Sequence, residues 1–271
     1  MLLTIDIGNT NITIGLYEGQ SLGPRWRLAT NHDRMPDEFG LDLLGLLSHQ
    51  KIPFTLINNV IIASVVPQLT GKFKEACQKY LNCDPLIVDA GVRTGIRIRY
   101  DDPKAVGADR VVDAVAAHQL YGGPACIVDF GTATTFDAIS GEGDYLGGAI
   151  APGISVAADA LFLRTAKLPR VDFSKPPSVI GKNTAHSLQS GLFNGYIALV
   201  EGMVERFRRE LGAQMKVIAT GGLAELLAPE TTAIQIVAPW LTLEGLRLIH
   251  EMNRVHQPVL KSNKTRTAAL A

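Results

Sequence analysis

Features that often identify a protein at first sight are scarce in this sequence. Its three cysteines, Cys77, Cys83 and Cys126, show neither Cys-x-x-Cys nor Cys/His ligand spacing, so we expect reduced thiols and no zinc site. No apolar run is long enough to span a bilayer, and residues 1–14 contain Asp6 but no basic leader. These absences predict a cytoplasmic protein without a membrane anchor or a secretion signal.

An excess of charge of one sign is missing too, because 26 Lys and Arg residues balance 26 Asp and Glu residues. A nucleic acid is therefore not an expected partner, and any phosphate site must be built locally. The sequence contains neither Gly-x-x-x-x-Gly-Lys-Ser/Thr nor Gly-x-Gly-x-x-Gly. Asp129-Phe130-Gly131 spells the magnesium motif of protein kinases, but no His-Arg-Asp loop precedes it, so we interpret this match as coincidence.

The length and the periodicity of the chain predict its organisation. A chain of 271 residues that is 46% hydrophobic and 19% charged is expected to fold into two compact lobes. Strands alternate with helices, which indicates an α/β protein. The tail after Gln257 is expected to fray. We place the lobe boundary on the mid-chain helix, which gives lobes of residues 1–116 and 117–271. The predicted strands are 2–7, 11–17, 60–66, 86–88, 125–130, 134–139 and 216–219, and the predicted main helices are 39–49, 71–81, 106–120, 188–210 and 241–254.

An internal repeat is the most informative pattern. A single Asp-x-Gly is ordinary turn chemistry, but two copies in register indicate a duplicated hairpin. Glycines and short hydroxyl side chains at a turn let backbone N–H groups approach a phosphate, and the Asp can hold a hydrated cation. We therefore expect two hairpins that face each other and hold a polyphosphate. The two segments are Thr4-Ile5-Asp6-Ile7-Gly8-Asn9-Thr10-Asn11 and Ile127-Val128-Asp129-Phe130-Gly131-Thr132-Ala133-Thr134.

Two further features leave alternatives open. Gly221 and Gly222 lie between a strand and a short helix, where they could admit adenine and ribose or form a plain turn. The long helix over 188–210 has a wider apolar face than one buried stripe requires. That face can pack on a second subunit or entirely within its own lobe.

Five motifs taken together resemble type III pantothenate kinases, in that family's order and over nearly the whole chain. The resemblance implies a two-lobed actin-like (ribonuclease H-like) ATPase fold with duplicated βαβ-type lobes and a central nucleotide cleft. It also implies transfer of the γ-phosphoryl group of ATP to the primary hydroxyl of pantothenate, the first step of coenzyme A synthesis, by a homodimer. The motifs are Asp6-Ile7-Gly8-Asn9-Thr10, Gly107-Ala108-Asp109-Arg110, Asp129 to Thr135, Gly147 to Gly153 and Thr220-Gly221-Gly222.

Site residues follow from the motifs and the resemblance. Asp109 is the candidate general base, because it begins the mid-chain helix beside two small residues that leave room for a substrate. The resemblance implies that Asp6 holds Mg²⁺ through water, and that Asp129 binds K⁺ or ammonium. The implied ATP-binding residues are Asp6, Ile7, Gly8, Asn9, Thr10, Asn11, Ile12, Thr13, Thr132, Gly221 and Gly222. The implied pantothenate-binding residues are Tyr100, Gly107, Ala108, Asp109, Arg110 and Thr184.

Each substrate assignment has a structural alternative. Arg110 can pair with a substrate carboxylate or form salt bridges at an exposed helix start. Tyr100 can be a packed strand aromatic, and Thr184 a helix cap. At the level of the whole protein, the alternatives are an inactive regulatory relative, a kinase for a sugar or acetate, and a filament former.

Overall fold

The computed structural model describes residues 1–254, so the predicted fraying after Gln257 lies outside the described residues. The strands are β1 (Leu2–Ile7), β2 (Asn11–Glu18), β3 (Ser21–Ala29), β4 (Asn59–Ser64), β5 (Leu86–Ile87), β6 (Ala125–Phe130), β7 (Ala133–Ile139), β8 (Tyr145–Pro152), β9 (Lys216–Gly221) and β10 (Ile236–Val237). The α-helices are α1 (Pro36–His49), α2 (Pro67–Leu81), α3 (Ala108–Tyr121), α4 (Ile154–Arg164), α5 (Thr184–Leu211), α6 (Ala224–Leu227) and α7 (Leu241–Arg254).

The strands form two five-stranded sheets of identical topology. The first has the order β3-β2-β1-β4-β5 and the second β8-β7-β6-β9-β10. In each sheet the first three strands of this order are mutually antiparallel, and the last two are parallel to the central strand, β1 or β6. The duplication predicted from two hairpins therefore extends over both complete sheets, and the predicted α/β class is confirmed.

Helices cover both faces of the first sheet, so its central strands β1 and β4 are almost wholly buried. Alternate residues of β1, such as Leu3 and Ile5, pack on α1 and α2, where the rings of Phe39 and Phe73 are 4.3 Å apart. The opposite face, which carries Leu2, packs on α3 and α7. Two differently composed cores therefore enclose one sheet.

Helix α3 lies between the two sheets. Val112 and Val115 pack with the first sheet and α7, whereas Val111 and Ala114 pack with Ile127 of the second sheet. The axes of α3 and α7 come close together, and a Cβ atom at Gly245 of α7 would clash with the carbonyl oxygen of Val112. This shared helix determines where the first turn of α3 lies relative to both sheets.

Several boundaries differ from the predictions. Helix α2 begins at Pro67 and not at residue 71, since proline is well suited to the first helical turn. The side chain of Asn183 caps α5, which therefore starts at Thr184 and not at residue 188. Strand β3 was not predicted. It contains Pro24, which is tolerated because β3 is an edge strand, where a residue without a backbone N–H need not lose a hydrogen bond of the sheet.

Helix α7 belongs to the second predicted lobe by sequence, but it packs against β1, β2 and β4 of the first sheet. The division at residues 116 and 117 stays a prediction, because α3 spans it. Among the helices of residues 1–254, none has the length and apolar character needed to cross a membrane.

Candidate active site

The turns of the two repeated hairpins meet between the sheets. The hydroxyl oxygens of Thr10 and Thr132 are 2.8 Å apart, so one hydroxyl donates a hydrogen bond to the other. A backbone hydrogen bond from the glycine closes each turn: the N–H of Gly8 donates to the carbonyl of Asn11 at 3.0 Å, and that of Gly131 donates to the carbonyl of Ala133, one residue nearer, at 3.1 Å. Two exposed stretches of small residues from the two repeats are thus held side by side.

Asp6 and Asp129 occupy equivalent places in the two sheets. Each is the second-last residue of its strand, and each is paired across the hairpin with a threonine, Thr13 and Thr135 respectively. By the alternation of β1 and β6, both side chains lie on the sheet face that packs against α3. The first turn of α3 adds Asp109 to the same space.

One cleft between the sheets contains these groups. Most of the ATP-binding residues expected from the sequence line it, as does the predicted base. The lining residues are Asp6, Gly8, Asn9, Asn11, Thr13, Arg27, Val65, Asp109, Asp129, Gly131, Thr132, Ala133, Thr135, Thr220, Gly221, Gly222, Pro239, Trp240, Thr242 and Leu243.

Other predicted residues lie near the cleft or apart from it. The side chains of Ile7 and Ile12 are fully buried in the first core, so only their backbone can face a ligand. Gly107 is the cap residue of α3, where a Cβ atom would crowd the Asp109 carboxylate. Ala108 begins that helix. Thr184 is exposed at the first position of α5 and does not line the cleft.

Asp109 is held at the N-terminus of α3, where its Oδ1 accepts a hydrogen bond of 2.8 Å from the backbone N–H of Arg110. Burial raises the pKa of this carboxyl group, and the bond from Arg110 offsets part of that rise. A carboxylate with a raised pKa is a stronger base than one in water. It is therefore suited to accept a proton from a substrate.

The acidic groups of the cleft influence one another. Burial, followed by the charges of Asp109 and Asp129, raises the pKa of Asp6 well above its ordinary value. Burial and the charge of Asp109 raise the pKa of Asp129 to about 7. Asp113, one turn further along α3, is buried, and its Oδ1 has no hydrogen-bond partner within the described residues. Bound cations or protons would relieve this crowding of like charges.

Arg110 does not lie at an exposed helix start, which was the structural alternative. Its side chain is only 12% exposed, and its Nε donates to Oδ1 of Asp137 at 2.7 Å. The hydroxyl of Tyr145 donates to the same oxygen at 2.8 Å, and that of Thr135 donates to Oδ2 at 3.0 Å. Nη2 of Arg110 is also 2.7 Å from Oδ1 of Asp137, so two nitrogens of the guanidinium lie against this carboxylate in a largely buried ion pair.

Tyr100 lies beside the Arg110 network. Its ring centroid is 6.4 Å from that of Tyr145, and the ring lies next to Gly147, whose φ of +117° suits glycine. Tyr100 is 39% exposed. The structure thus brings Tyr100, Arg110 and Asp109 to one region, whereas Thr184 is elsewhere on the chain surface.

Sequence reasoning missed several residues of the cleft. Thr135 was recognisable, because it is the counterpart of Thr13 in the repeat. Arg27 lies on the unpredicted strand β3, and Trp240 directly precedes α7. No local motif marks either residue, since both reach the cleft only through tertiary packing.

Comparisons with known proteins agree with the geometry. A family model described as type III pantothenate kinase matches residues 2–206. A protein from Moorella thermoacetica called type III pantothenate kinase is 53% identical over 253 residues, which are 93% of this chain and 100% of the relative. A protein of the same name from a Roseiflexus species (strain RS-1) is 54% identical over 94% of this chain and 100% of its own length.

Solved structures show the same architecture at low sequence identity. A putative Baf family transcriptional activator from Campylobacter jejuni has a TM-score of 0.60 at 21% identity, with 93% of this chain and 99% of that chain covered. A putative 2-dehydro-3-deoxygalactonokinase from Sinorhizobium meliloti has a TM-score of 0.55 at 13% identity, with 98% and 100% covered. These likenesses concern the fold alone, and they confirm the actin-like, sugar-kinase type of architecture expected from the sequence.

Proposed function

Since the chain belongs to the type III pantothenate kinase family, we propose that the cleft between its two sheets is the place where ATP phosphorylates pantothenate. The chain is a kinase that uses ATP and acts in coenzyme A biosynthesis. The observation that carries the assignment of the cleft is the meeting of the two hairpin turns at Thr10 and Thr132. The regulatory alternative has no support, because Asp6, Asp109 and the second hairpin are all present.

The nucleotide half of the proposed site uses backbone more than side chains. Asn9 and Thr10 from one turn and Thr132 from the other would donate hydrogen bonds to the phosphates, and Gly8, which has no side chain, would let the phosphates approach the turn. Gly221 and Gly222 would leave space for ribose and adenine. Gly221 has a φ of +88°, and a Cβ atom there would clash with Oδ1 of Asp129, so glycine is needed at this position.

The acidic side chains fit the cations that the family resemblance implies. Burial and neighbouring carboxylates raise the pKa values of Asp6 and Asp129, so a bound cation would stabilise the charged form of each. No three His, Cys, Asp or Glu side chains of residues 1–254 form a ready metal cage. This suits Mg²⁺, which commonly binds through water, one or two carboxylates and substrate phosphates. In our proposal Asp6 would hold Mg²⁺ through water and Asp129 would hold K⁺ or ammonium, and these cations would neutralise phosphate charge.

Asp109 is the proposed general base. The primary hydroxyl of pantothenate attacks the γ-phosphorus, and its proton passes to the Asp109 carboxylate as the new P–O bond forms. The bond between the γ-phosphorus and the bridging oxygen breaks, and ADP leaves with that electron pair. Arg110 and Tyr100 would orient pantothenate, with the guanidinium of Arg110, which Asp137 holds in place, directed to its carboxylate.

A homodimer is also proposed, on the basis of the α4–α5 surface. Leu163 is 71% exposed, and an apolar groove between α4 and α5 includes Val156, Leu161 and Leu188. Thr184 begins α5 at the same end of the helix, so pairing of this surface would place Thr184 at an interface, close to a pantothenate site. Analytical ultracentrifugation tests the dimer, and a monomer at assay concentration would contradict it.

We further propose a cytoplasmic location, because the reaction consumes ATP and produces an intermediate of coenzyme A synthesis. Cell fractionation with an antibody against the chain tests this. Recovery of the protein with the cytosolic fraction is expected, and recovery with another compartment would contradict the proposal.

The decisive assay for the function is coupled ATP consumption by the purified protein. Pantothenate should support turnover, whereas acetate and simple sugars should not. Activity should require Mg²⁺ and increase with K⁺ or ammonium. Turnover with acetate or a sugar but not with pantothenate would assign a different acceptor to the same scaffold.

A further inference from the structure

Arg27 is a cationic side chain of the cleft to which the proposed function assigns no role. On the sheet, Asp6 of β1 is paired with Thr13 of β2, and Thr13 is paired with Arg27 of β3. Residues paired in this way lie on the same face of neighbouring strands. All three line the cleft, so Arg27 extends the row of residues that begins at the acidic end of the first hairpin.

The guanidinium of Arg27 has no carboxylate partner among the described residues. Within residues 1–254 it makes no ion pair and no side-chain hydrogen bond, and the cleft residues include no other Lys or Arg. An arginine side chain carries five N–H donors in a planar fork that matches phosphate geometry. A cation that lines the same cleft as Asp6, Asp109 and Asp129 but forms an ion pair with none of them is available for an anionic ligand.

The ring of Trp240, another residue of the cleft, contacts this cation. The guanidinium carbon of Arg27 is 5.0 Å from the centroid of the Trp240 ring, a cation–π contact between β3 of the first sheet and the residue before α7. Such a contact restricts the side chain while leaving its N–H groups free to donate. Arg25 contacts the same ring at 4.9 Å, but Arg25 does not line the cleft.

We propose that Arg27 binds the terminal phosphate of ATP and stabilises the phosphoryl group during its transfer, and that Trp240 positions Arg27 for this contact. The inference rests on the proposed function, which places the ATP phosphates between the two hairpin turns. A positive side chain directed at the transferring group lowers the barrier, because charge in that group is redistributed as it moves. The competing explanation is that Arg27 only joins the lobes through Trp240.

The two explanations predict different effects of removing Arg27 on the binding of ATP, which has a γ-phosphate, and of ADP, which lacks one. If Arg27 contacts that group, Arg27→Ala should weaken ATP binding about tenfold or more while changing ADP binding about twofold or less, as expected for the loss of a charged hydrogen bond. It should also lower kcat about 10²-fold. Arg27→Lys should restore part of the ATP preference, because the charge remains but the planar fork is lost.

The chain supplies a matched control in Arg25→Ala. Arg25 lies on the same strand as Arg27 and contacts the same tryptophan ring, but it does not line the cleft. In this variant kcat and the ratio of ATP to ADP affinity should therefore change by no more than about twofold. Trp240→Phe should retain most of the kcat because a ring remains, whereas Trp240→Leu should lower kcat without altering the KM for pantothenate. Thermal unfolding of every variant identifies effects that arise only from stability.

Isothermal titration with a non-hydrolysable ATP analogue and with ADP, combined with steady-state kinetics, tests the proposal. Equal losses of affinity for the two nucleotides in Arg27→Ala, or equal effects of Arg25→Ala and Arg27→Ala, would overturn it. The titrations need no pantothenate turnover. Failure of the wild type to phosphorylate pantothenate would therefore contradict the proposed function separately. If the wild type is active and Arg27→Ala is equally active, only this inference is contradicted.

Discussion

The hydroxyl groups of Thr10 and Thr132 are 122 residues apart in the chain and 2.8 Å apart in space. Each belongs to the turn of one copy of a repeated hairpin. The second-last residue of the first strand is an Asp in both copies, Asp6 in one and Asp129 in the other. The contact shows that the two repeats face each other across the cleft. The proposed binding of a single polyphosphate between them depends on this arrangement.

Removal of the proposed base should abolish turnover without unfolding the protein. Asp109→Asn keeps the size of the side chain and its ability to accept a hydrogen bond from Arg110, so ATP binding should remain close to that of the wild type. The rate of pantothenate phosphorylation should fall about 10²- to 10⁴-fold, because the proton acceptor is lost. Asp33→Asn, at an exposed position, is the control and should keep the wild-type rate. A near-normal rate in Asp109→Asn would refute the assignment.

The acidic cleft should make the ligand-free protein less stable as pH rises. The ordinary pKa of Asp is 3.8, whereas that of Asp129 is raised to about 7 in the folded protein. Between about pH 4 and pH 7 the folded state therefore binds a proton that the unfolded chain releases, so the free energy of unfolding decreases with pH over this window.

Asp129→Asn removes this titration, and its unfolding midpoint should vary less with pH than that of the wild type. Thermal unfolding between pH 5 and pH 8, without nucleotide or Mg²⁺, measures the difference. An unchanged slope in Asp129→Asn would show that Asp129 keeps an ordinary pKa in the folded state.

The two glycines before α6 provide a matched pair of substitutions. Gly221→Ala imposes a side chain at a φ of +88° and against Asp129, so it should destabilise the protein by about 1–3 kcal/mol and weaken ATP binding. Gly222 has open space around it, and Gly222→Ala should change the free energy of unfolding by less than about 1 kcal/mol. Urea denaturation of both variants checks the prediction, which fails if the two changes cost the same.

The hydrogen bond between Thr10 and Thr132 should contribute more to ATP affinity than to the free energy of unfolding. Both threonines are exposed, so loss of their mutual hydrogen bond should cost no more than about 1 kcal/mol of stability. A double-mutant cycle with Thr10→Val and Thr132→Val, measured by denaturation and by ATP titration, separates the two effects. A large coupling in stability with unchanged ATP affinity would mean that the threonines serve the fold and not the nucleotide.

The sequence predicted the parts of the fold that local patterns encode. The hairpins at β1–β2 and β6–β7 were recognisable because strand periodicity, glycine turns and the repeated Asp coincide. Strand β3 was missed, because its residues alternate between half-buried and exposed and it contains Pro24, which is unusual in a strand.

The candidate site was only partly predictable for a similar reason. Asp6, Asp109 and Asp129 stand in motifs, whereas Arg27 and Trp240 enter the cleft through the pairing of β2 with β3 and the return of α7 to the first sheet. Those contacts join distant segments of the chain. Local propensity does not reveal them.

A crystal structure with Mg²⁺ and a non-hydrolysable ATP analogue tests the central claim most directly. We expect one nucleotide, with its phosphates within hydrogen-bond distance of both the Gly8–Thr10 turn and Thr132. Phosphates bound by only one of the two turns, or a nucleotide outside the cleft, would contradict the account.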